Sequence, residues 1–232
     1  MNLCSWLCRK NKMKTKQPKL PLSFADYQRL HRIIVTVLNN VDAHTANACI
    51  FFSMAGAYIL DKEYGLDAHV RCGSAFFRVD DAANFVMAFT DTDAFENDVV
   101  ASHNKAFHAW IECDGVVVDL MAPIFRENII SRIPDTNLRL PRKMFQRPKA
   151  AMAESPFDLN REGDFYLETN PDLTRELHQT FMSRAQNGDL VDVCKHWFKR
   201  TPKPILQELE MGSNDGIVKR MKLVGTELVG NW

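Results

Sequence analysis

The spacing of apolar residues along this chain changes from a helical repeat to an extended repeat and then back again. From residue 24 to residue 41, apolar side chains recur every three or four positions, which predicts an amphipathic helix with one buried stripe. Ser23, followed three positions later by Asp26, resembles a capping box at the start of this helix. The predicted stripe consists of Tyr27, Leu30, Ile33, Ile34, Val37, Leu38 and Val41.

A second predicted helix covers residues 47 to 64, a segment that is rich in apolar residues and contains no proline. Asn47 is the preferred N-cap, with Thr45 and Asp42 as alternatives, and Gly65 supplies the C-terminal stop. In each of these frames Cys49 lies in the first one or two turns of the helix.

Extended segments lie between this helix and the C-terminal third of the chain. Residues 70–79 and 84–90 predict one hairpin, and residues 107–113 and 116–121 predict another, joined by the two-residue turn Asp114-Gly115. Together they predict an antiparallel sheet of four or more strands against which the Cys49 helix packs. The expected fold class is therefore α+β, with a helical C-terminal region.

The C-terminal region shows helix signals again. Asn170 followed by Pro171 is typical of a helix start, because asparagine caps well and proline suits the first helical position. We expect helices over 171–186 and 189–199, separated by Asn187-Gly188, and a shorter one from Pro202. The chain then divides into a basic disordered leader (1–20), an α+β core (21–169) and a helical extension packed on the core (170–232).

Composition and charge place the chain among ordinary globular proteins. It is 46% hydrophobic and 25% charged, and no apolar run approaches the roughly 18–20 residues of a membrane span. Its net charge is zero, but residues 1–20 contain six basic and no acidic residues, leaving 23 basic and 29 acidic residues in the rest. Such a leader can contact nucleic acid, phospholipid or ribosome, although a solvated tail is the preferred interpretation, and no specific nucleic-acid partner is predicted. Met13 is an alternative start.

The six cysteines do not form a dense disulfide framework, and the N-terminal segment does not resemble a signal peptide. We therefore expect reduced thiols and a cytoplasmic protein. The sequence contains no phosphate loop and no dinucleotide fingerprint, and no cofactor is expected.

The second hairpin contains the most informative chemistry. Counting outward from Asp114-Gly115 places Trp110 opposite Asp119, so that Asp119 lies diagonal to His108 on the same face, with roughly 6–8 Å between their backbones. A carboxylate bonded to one imidazole nitrogen fixes the tautomer and leaves the other nitrogen free to act as a base. The face that carries this pair is expected to be the polar one, whereas the opposite face of the hairpin is apolar and suits a core.

Cys49 is the best candidate for a nucleophile that this pair could activate. At a helix start, unpaired amide groups and the positive end of the helix dipole favour a thiolate. Each residue also has a structural interpretation: Cys49 as a small buried hydrophobe, His108 as a hydrogen-bonded strand residue, and Asp119 as part of a turn. The combination of the three favours a functional site.

The order Cys49, His108, Asp119 and the sequence around each resemble the transglutaminase-like superfamily of papain-type cysteine enzymes. Arylamine N-acetyltransferases are similar in the same places, less closely. The resemblance implies an α+β core and acyl transfer by a triad, with Cys49 as nucleophile, His108 as base and Asp119 as the residue that orients His108. The matching segments are Ala48-Cys49 with Ala55, Tyr64-Gly-Leu-Asp-Ala-His-Val70, His108-Ala-Trp-Ile-Glu112 and Val118-Asp119-Leu120.

The expected function is cysteine-dependent acyl transfer on an amide of a protein, peptide or small molecule. Hydrolysis or deamidation is favoured over transamidation because water is always present. The amide of Cys49 is the natural oxyanion donor, with Asn47, His44 and Trp110 as candidates for assistance or substrate contact. A non-catalytic interaction module is the alternative, followed by a metal hydrolase using His44, His103 and His108. Oligomeric state is left open.

Residues 91–105 are polar and precede the predicted base, so they are expected to form a rim or lid. Within this segment His103, Asn104 and Lys105 are candidates for substrate contact, although a solvated loop is the simpler interpretation.

Overall fold

A long central strand organises the sheet. The computed structural model describes residues 18–45, 48–134, 138, 140–212 and 216–232. Strand β1 pairs antiparallel with β3 through its first half and with β2 and β6 through its second half, and β4 and β5 follow beyond β3. The predicted α+β class and the sheet of four or more strands are confirmed. The six strands are β1 (Ala68–Asp80), β2 (Phe85–Phe89), β3 (His108–Cys113), β4 (Val116–Asp119), β5 (Phe145–Pro148) and β6 (Phe165–Thr169).

Helices lie on both faces of this sheet. One hydrophobic cluster joins α1, α2, α5 and α6 to the face that carries Ala109 and Ile111, and a second joins α4 to the face that carries Trp110 and Val117. The helices are α1 (Phe24–Asn40), α2 (Cys49–Tyr64), α3 (Thr92–Phe95), α4 (Phe125–Arg132), α5 (Pro171–Met182) and α6 (Ala185–Trp197).

The first helix begins as the capping signal predicts. Ser23 Oγ accepts a hydrogen bond from the Asp26 amide at 3.1 Å, and the predicted apolar stripe is buried from Tyr27 to Leu38. The Asp26 carboxylate does not complete the capping box by accepting from the Ser23 amide. It accepts instead from the amide and the hydroxyl of Thr201, at 2.8 and 3.2 Å, and so ties the start of α1 to the C-terminal segment.

The cysteine-bearing helix begins at Cys49 and ends at Gly65, which adopts a left-handed conformation with φ of 65°. Ala48 is the N-cap, so capping by Thr45 or Asp42 is wrong, and the preferred cap Asn47 lies outside the described residues. The helix packs very closely on the β3–β4 hairpin. A Cβ atom added to Gly56 would lie 2.3 Å from Leu120 Cδ1 and 2.7 Å from Ile111 Cδ1.

The β3–β4 hairpin has the predicted register, with Ile111 opposite Val118 and Cys113 opposite Val116. Its turn residues Asp114 and Gly115 both have positive φ values of 48° and 75°, as a type I′ turn requires. The expectation of one polar face is wrong. Aromatic side chains from β1, β2, α4 and β5 cover that face and bury it as the second hydrophobic cluster.

The C-terminal region begins as predicted, with Asn170 Oδ1 accepting from the Leu173 amide at 3.0 Å. The predicted break at Asn187-Gly188 is wrong, because both residues lie inside α6 and Asn187 Nδ2 donates to the Phe181 carbonyl at 2.9 Å. The predicted third helix is also wrong. Pro202 and Pro204 disfavour helical geometry in the residues that precede them, and a hairpin of β7 (Glu208–Gly212) and β8 (Val218–Lys222) follows.

The predicted leader lies almost wholly outside the described residues, which begin at 18, and so does Met13. Helices α5 and α6 contact β1 and α2 respectively, so the C-terminal region packs directly on the sheet and on the cysteine-bearing helix. Among the helices of the described residues, none combines the length and the apolar character needed to cross a bilayer.

Candidate functional site

A buried hydrogen bond joins the first residue of β3 to the last residue of β4. His108 Nε2 lies 2.7 Å from Asp119 Oδ2, and both side chains are at most 1% exposed. The other carboxylate oxygen, Oδ1, accepts from the Met121 amide at 2.8 Å. Both oxygens of Asp119 are therefore engaged, and the carboxylate holds the imidazole with one nitrogen turned toward it.

Aromatic rings enclose the His108 side chain. Phe89 stacks on the imidazole with ring centroids 4.3 Å apart, Phe77 meets it edge-on at 5.8 Å, and Phe125 lies at 6.0 Å. These contacts fix the plane of the ring and cover its faces. In such surroundings, the charge of a nearby group acts on the imidazole more strongly than it would in water.

Burial lowers the pKa of His108, but the charge and hydrogen bond of Asp119 outweigh it, and the Cys49 side chain adds to them. The net result is a pKa of about 10. The ring is therefore expected to be protonated at neutral pH, as an imidazole bonded to a buried carboxylate would be.

Cys49 is the first residue of α2 and is only 6% exposed. Because Asp119 occupies Nε2, the thiol faces the imidazole through its other nitrogen, Nδ1. That nitrogen is buried and makes no hydrogen bond of conventional geometry, although Cys49 is close enough to raise the pKa of the ring. A long or poorly aligned contact of this kind is common in enzyme sites without substrate.

A second thiol lies near Cys49. Burial, and to a smaller extent the electrostatic interaction with Cys49, raises the pKa of Cys72 to about 12, against a lowering by its hydrogen bond with Thr174. Cys72 is therefore neutral at physiological pH and does not compete for the proton of His108. Cys49, Cys72, Cys113 and Cys194 are all free.

Two residues of α1 hold the end of β4 in place, and the sequence analysis missed this role. The Tyr27 hydroxyl donates to the main-chain oxygen of Asp119 and accepts from the Phe145 amide at 3.3 Å. One turn later, His31 Nδ1 lies 2.9 Å from the Leu120 carbonyl, to which it must donate because a carbonyl only accepts. The available signal was a pair of polar side chains, four residues apart, in an otherwise apolar stripe.

The remaining sequence candidates are not gathered at the site. The Trp110 indole is buried in the second cluster and its Nε1 donates to Glu112 at 3.4 Å, so it is already engaged. His44 is exposed, and Asn47 lies outside the described residues. Within the described part of the chain no three His, Cys, Asp or Glu side chains are arranged to hold a metal ion, so His44, His103 and His108 do not form one set.

Two cavities are lined by chain neighbours of Cys49 and His108, although neither Cys49 nor His108 lines them itself. The chain neighbours of Cys49, Ala48 and Ile50, line a mainly apolar cavity of about 460 Å³ that also includes His44. On the other side, Phe107 and Phe89 line a charged cavity of about 370 Å³. Phe107 precedes His108 in the chain, and Phe89 is the ring stacked on it.

Comparisons with known proteins place the chain in a family without assigning an activity. A crystal structure described as "The crystal structure of genomics APC5867" is 32% identical in sequence and has a TM-score of 0.80, with 92% of this chain and 98% of that chain covered. A comparison with curated proteins gives no match. The family model for DUF2026, described as a protein of unknown function, matches residues 23–232. The chain therefore belongs to the DUF2026 family.

Proposed function

We propose that this protein is a cysteine-dependent acyl-transfer enzyme that hydrolyses an amide, with Cys49 as nucleophile, His108 as general base and acid, and Asp119 as the residue that orients His108. The supporting observation is a buried imidazole that is bonded to a carboxylate through Nε2 and faces a thiol at a helix start. The resemblance of the Cys49, His108 and Asp119 segments to the transglutaminase-like superfamily supports the same assignment.

The proposed reaction begins with the thiolate of Cys49 attacking the amide carbonyl, which forms a tetrahedral oxyanion. The first main-chain hydrogen bond into α2 runs from the Phe52 amide to the Ala48 carbonyl at 3.0 Å. The amide of Cys49 lies ahead of that bond, as the first amides of a helix do, and can donate to the oxyanion. Asp119 keeps Nε2 engaged, so that the proton exchanged with substrate is the one on Nδ1.

Collapse of the tetrahedral species breaks the carbon–nitrogen bond. The His108 imidazolium gives its Nδ1 proton to the leaving amine, and the acyl group remains on Cys49 as a thioester. The neutral imidazole then removes a proton from water, whose oxygen attacks the thioester and releases the carboxylic acid and the thiolate. The substrate class is an amide of a protein, peptide or small molecule.

A reduced Cys49 is essential to this chemistry. The four described cysteines are free, which supports a reducing compartment, and we place the enzyme in the cytoplasm.

A non-catalytic interaction module is the second candidate. The specific observation in its favour is the enclosure of the site, since His108 is fully buried and Cys49 is 6% exposed. In that case the Cys–His–Asp arrangement would only stabilise the junction between α2 and the β3–β4 hairpin.

Alkylation of the full-length protein separates the two candidates. Iodoacetamide at about pH 6 should modify Cys49 much faster than the other described cysteines, because burial raises the pKa of Cys72 to about 12 and that of Cys113 to about 11, and raises the pKa of Cys194 further. Cys49 is also slightly more accessible than the other three described cysteines, and accessibility alone could make it react faster. The variant His108→Gln separates the two causes, because it removes the imidazole. This variant should remove the advantage of Cys49, as measured by mass spectrometry of peptides.

His69→Gln is the matched control, because His69 is exposed, pairs with Asp67 and has no assigned role at the site. It should leave the labelling rate of Cys49 unchanged. Equal rates across the cysteines of the unmodified chain, or selectivity that survives His108→Gln in a folded variant, would support the interaction module instead.

A further inference from the structure

We propose that the charged cavity beside His108 binds a carboxylate on the leaving amine, so that the substrate is an acylated amino acid or a peptide cleaved before its last residue. This inference rests on the proposed amide hydrolysis and adds the chemical class of the amine. The residues that would recognise the carboxylate are Lys105 and Arg132.

The order of steps in the proposed reaction places the leaving amine next to His108. The acyl group stays on Cys49, whereas the leaving nitrogen must reach the proton on the imidazole. The charged cavity is adjacent to His108 through Phe107, its chain neighbour, and through Phe89, whose ring lies 4.3 Å from the imidazole. Its volume of about 370 Å³ falls within the range of small-molecule sites.

The cavity is lined by two cations, Lys105 and Arg132, and two carboxylates, Asp91 and Asp93. Asp91 already has hydrogen-bond partners, since its Oδ1 accepts from the Ala94 amide at 3.1 Å and its Oδ2 lies 3.3 Å from His103 Nε2. Over the part of the chain that the structure describes, Lys105 and Arg132 take part in no ion pair. Asp93 is the one acidic residue of the cavity without such partners, so the two unpaired cations outnumber the carboxylates still free to pair with them. An anionic group, which an arginine can bind through two parallel hydrogen bonds, complements this arrangement.

The wall that carries Lys105 is held in place by hydrogen bonds. His103 and Ala106 exchange main-chain hydrogen bonds of 3.1 and 2.9 Å across a tight turn. The Lys105 amide donates to His103 Nδ1 at 3.2 Å, so that Nδ1 accepts and Nε2 carries the hydrogen that points to Asp91. These contacts fix the turn against Asp91, the N-cap of α3. His103 therefore acts as a positioning residue for Lys105.

The wall that carries Arg132 belongs to the helix that touches the catalytic ring. Arg132 is the last residue of α4, and the first residue of the same helix, Phe125, lies 6.0 Å from the His108 ring. A short, rigid element therefore joins the imidazole to the cation that would bind the carboxylate.

Chloroacetyl reagents test the inference on the full-length protein without knowledge of the natural substrate. Chloroacetyl-glycine carries a carboxylate on its amine side, chloroacetyl-glycinamide is its neutral equivalent, and N-(2-aminoethyl)chloroacetamide carries an ammonium. In each case the thiolate of Cys49 forms a carbon–sulfur bond and chloride leaves. The anionic reagent should label Cys49 about tenfold faster than the neutral one, because charge-assisted hydrogen bonds recruit it.

The double variant Lys105→Gln and Arg132→Gln should reduce this preference to about onefold, measured as the ratio of the anionic to the neutral labelling rate in the same protein. Asp93→Asn is the matched control and should retain or increase the preference for the anion. Equal rates of anionic and neutral reagents in the unmodified chain, a faster reaction of the ammonium reagent, or a preference that survives the double variant would each overturn the inference.

The neutral reagent keeps the two hypotheses apart. One outcome is that the neutral reagent labels Cys49 selectively and in a manner that depends on His108, while the anionic reagent labels it no faster. That result would support the amide hydrolase and contradict the carboxylate subsite. If the neutral reagent shows no selectivity for Cys49, the proposed function itself has failed.

Discussion

The hydroxyl of Tyr27 donates to the main-chain oxygen of Asp119 and thereby connects the first helix to the strand end that holds the carboxylate of the site. The same oxygen atom of Tyr27 accepts from Phe145 on the neighbouring strand. One side chain therefore bridges α1, β4 and β5 at the point where β4 ends. Orientation of His108 depends on this bridge as well as on the hydrogen bond with Asp119.

Removal of the Tyr27 hydroxyl should destabilise the fold. Tyr27→Phe leaves the Asp119 carbonyl and the Phe145 amide without their buried partner, and we expect a loss of about 1–3 kcal/mol in the free energy of unfolding, measured with urea. Tyr166→Phe is the control, since its hydroxyl bonds to the exposed Glu168 and should contribute less than about 0.5 kcal/mol. Equal effects of the two variants would contradict the role of Tyr27.

Loss of the Asp119 charge should weaken the reactivity of Cys49. Asp119→Asn keeps the size of the side chain but removes the charge that raises the pKa of His108, so the imidazolium that stabilises a thiolate is less populated. We expect the alkylation rate of Cys49 at about pH 6 to fall by about tenfold or more. Glu112→Gln, on strand β3 and paired with Lys149 at 2.7 Å, should change that rate little. An unchanged rate in Asp119→Asn would argue against Asp119 as the orienting residue.

Acid should destabilise the protein through His31. Burial lowers the pKa of His31 from its ordinary value of 6.5 to about 4, and its hydrogen bond to the Leu120 carbonyl only partly opposes this. Because the folded state favours the neutral ring, this contribution is complete above about pH 6.5 and is lost as pH falls toward 4. Full protonation would remove about 3 kcal/mol.

His31→Gln provides the comparison, because glutamine does not titrate. Between pH 7 and pH 4 the unmodified chain should lose more unfolding free energy than this variant does, whereas His69→Gln at an exposed position should behave like the unmodified chain. Parallel pH profiles for the unmodified chain and His31→Gln would show that His31 titrates normally.

Close packing at Gly56 should make a small substitution harmful. Alanine favours a helix over glycine by about 1 kcal/mol, but the new Cβ would lie 2.3 Å from a buried Leu120 methyl group and would push α2 away from the hairpin. We expect a net loss of about 1–3 kcal/mol in unfolding free energy. Gly188→Ala in α6, where nothing lies within 4 Å, should instead stabilise by up to about 1 kcal/mol. Stabilisation by both variants would contradict the close contact.

Local sequence patterns predicted most of the helices and strands, and also the His108–Asp119 pair of the site. Turn chemistry at Asp114-Gly115 sets the register of the hairpin, and the register alone brings Asp119 within hydrogen-bonding distance of His108. The first helix was equally predictable because a cap and a long apolar stripe agree. In both cases the determining interactions lie within about twenty residues of one another.

What local patterns could not predict depends on long-range packing. The aromatic rings that cover His108 come from separate elements. The sequence therefore predicts a polar hairpin face at His108, although that face is buried in the structure. Asn187-Gly188 resembles a turn in isolation, yet a hydrogen bond to Phe181 keeps both residues helical. The contact of Tyr27 with Asp119 spans 92 positions, so a polar side chain within the apolar stripe could not by itself identify its partner.

The bond between Asp26 and Thr201 has a practical consequence for anyone who wishes to shorten the chain. Asp26 is 5% exposed, and its carboxylate accepts from both the amide and the hydroxyl of Thr201. A fragment ending near residue 170 would leave that anion enclosed without its donors, at the very turn from which Tyr27 reaches the site. The last sixty residues therefore support the N-terminal end of α1 beside the candidate site, and a fragment without them is expected to be insoluble.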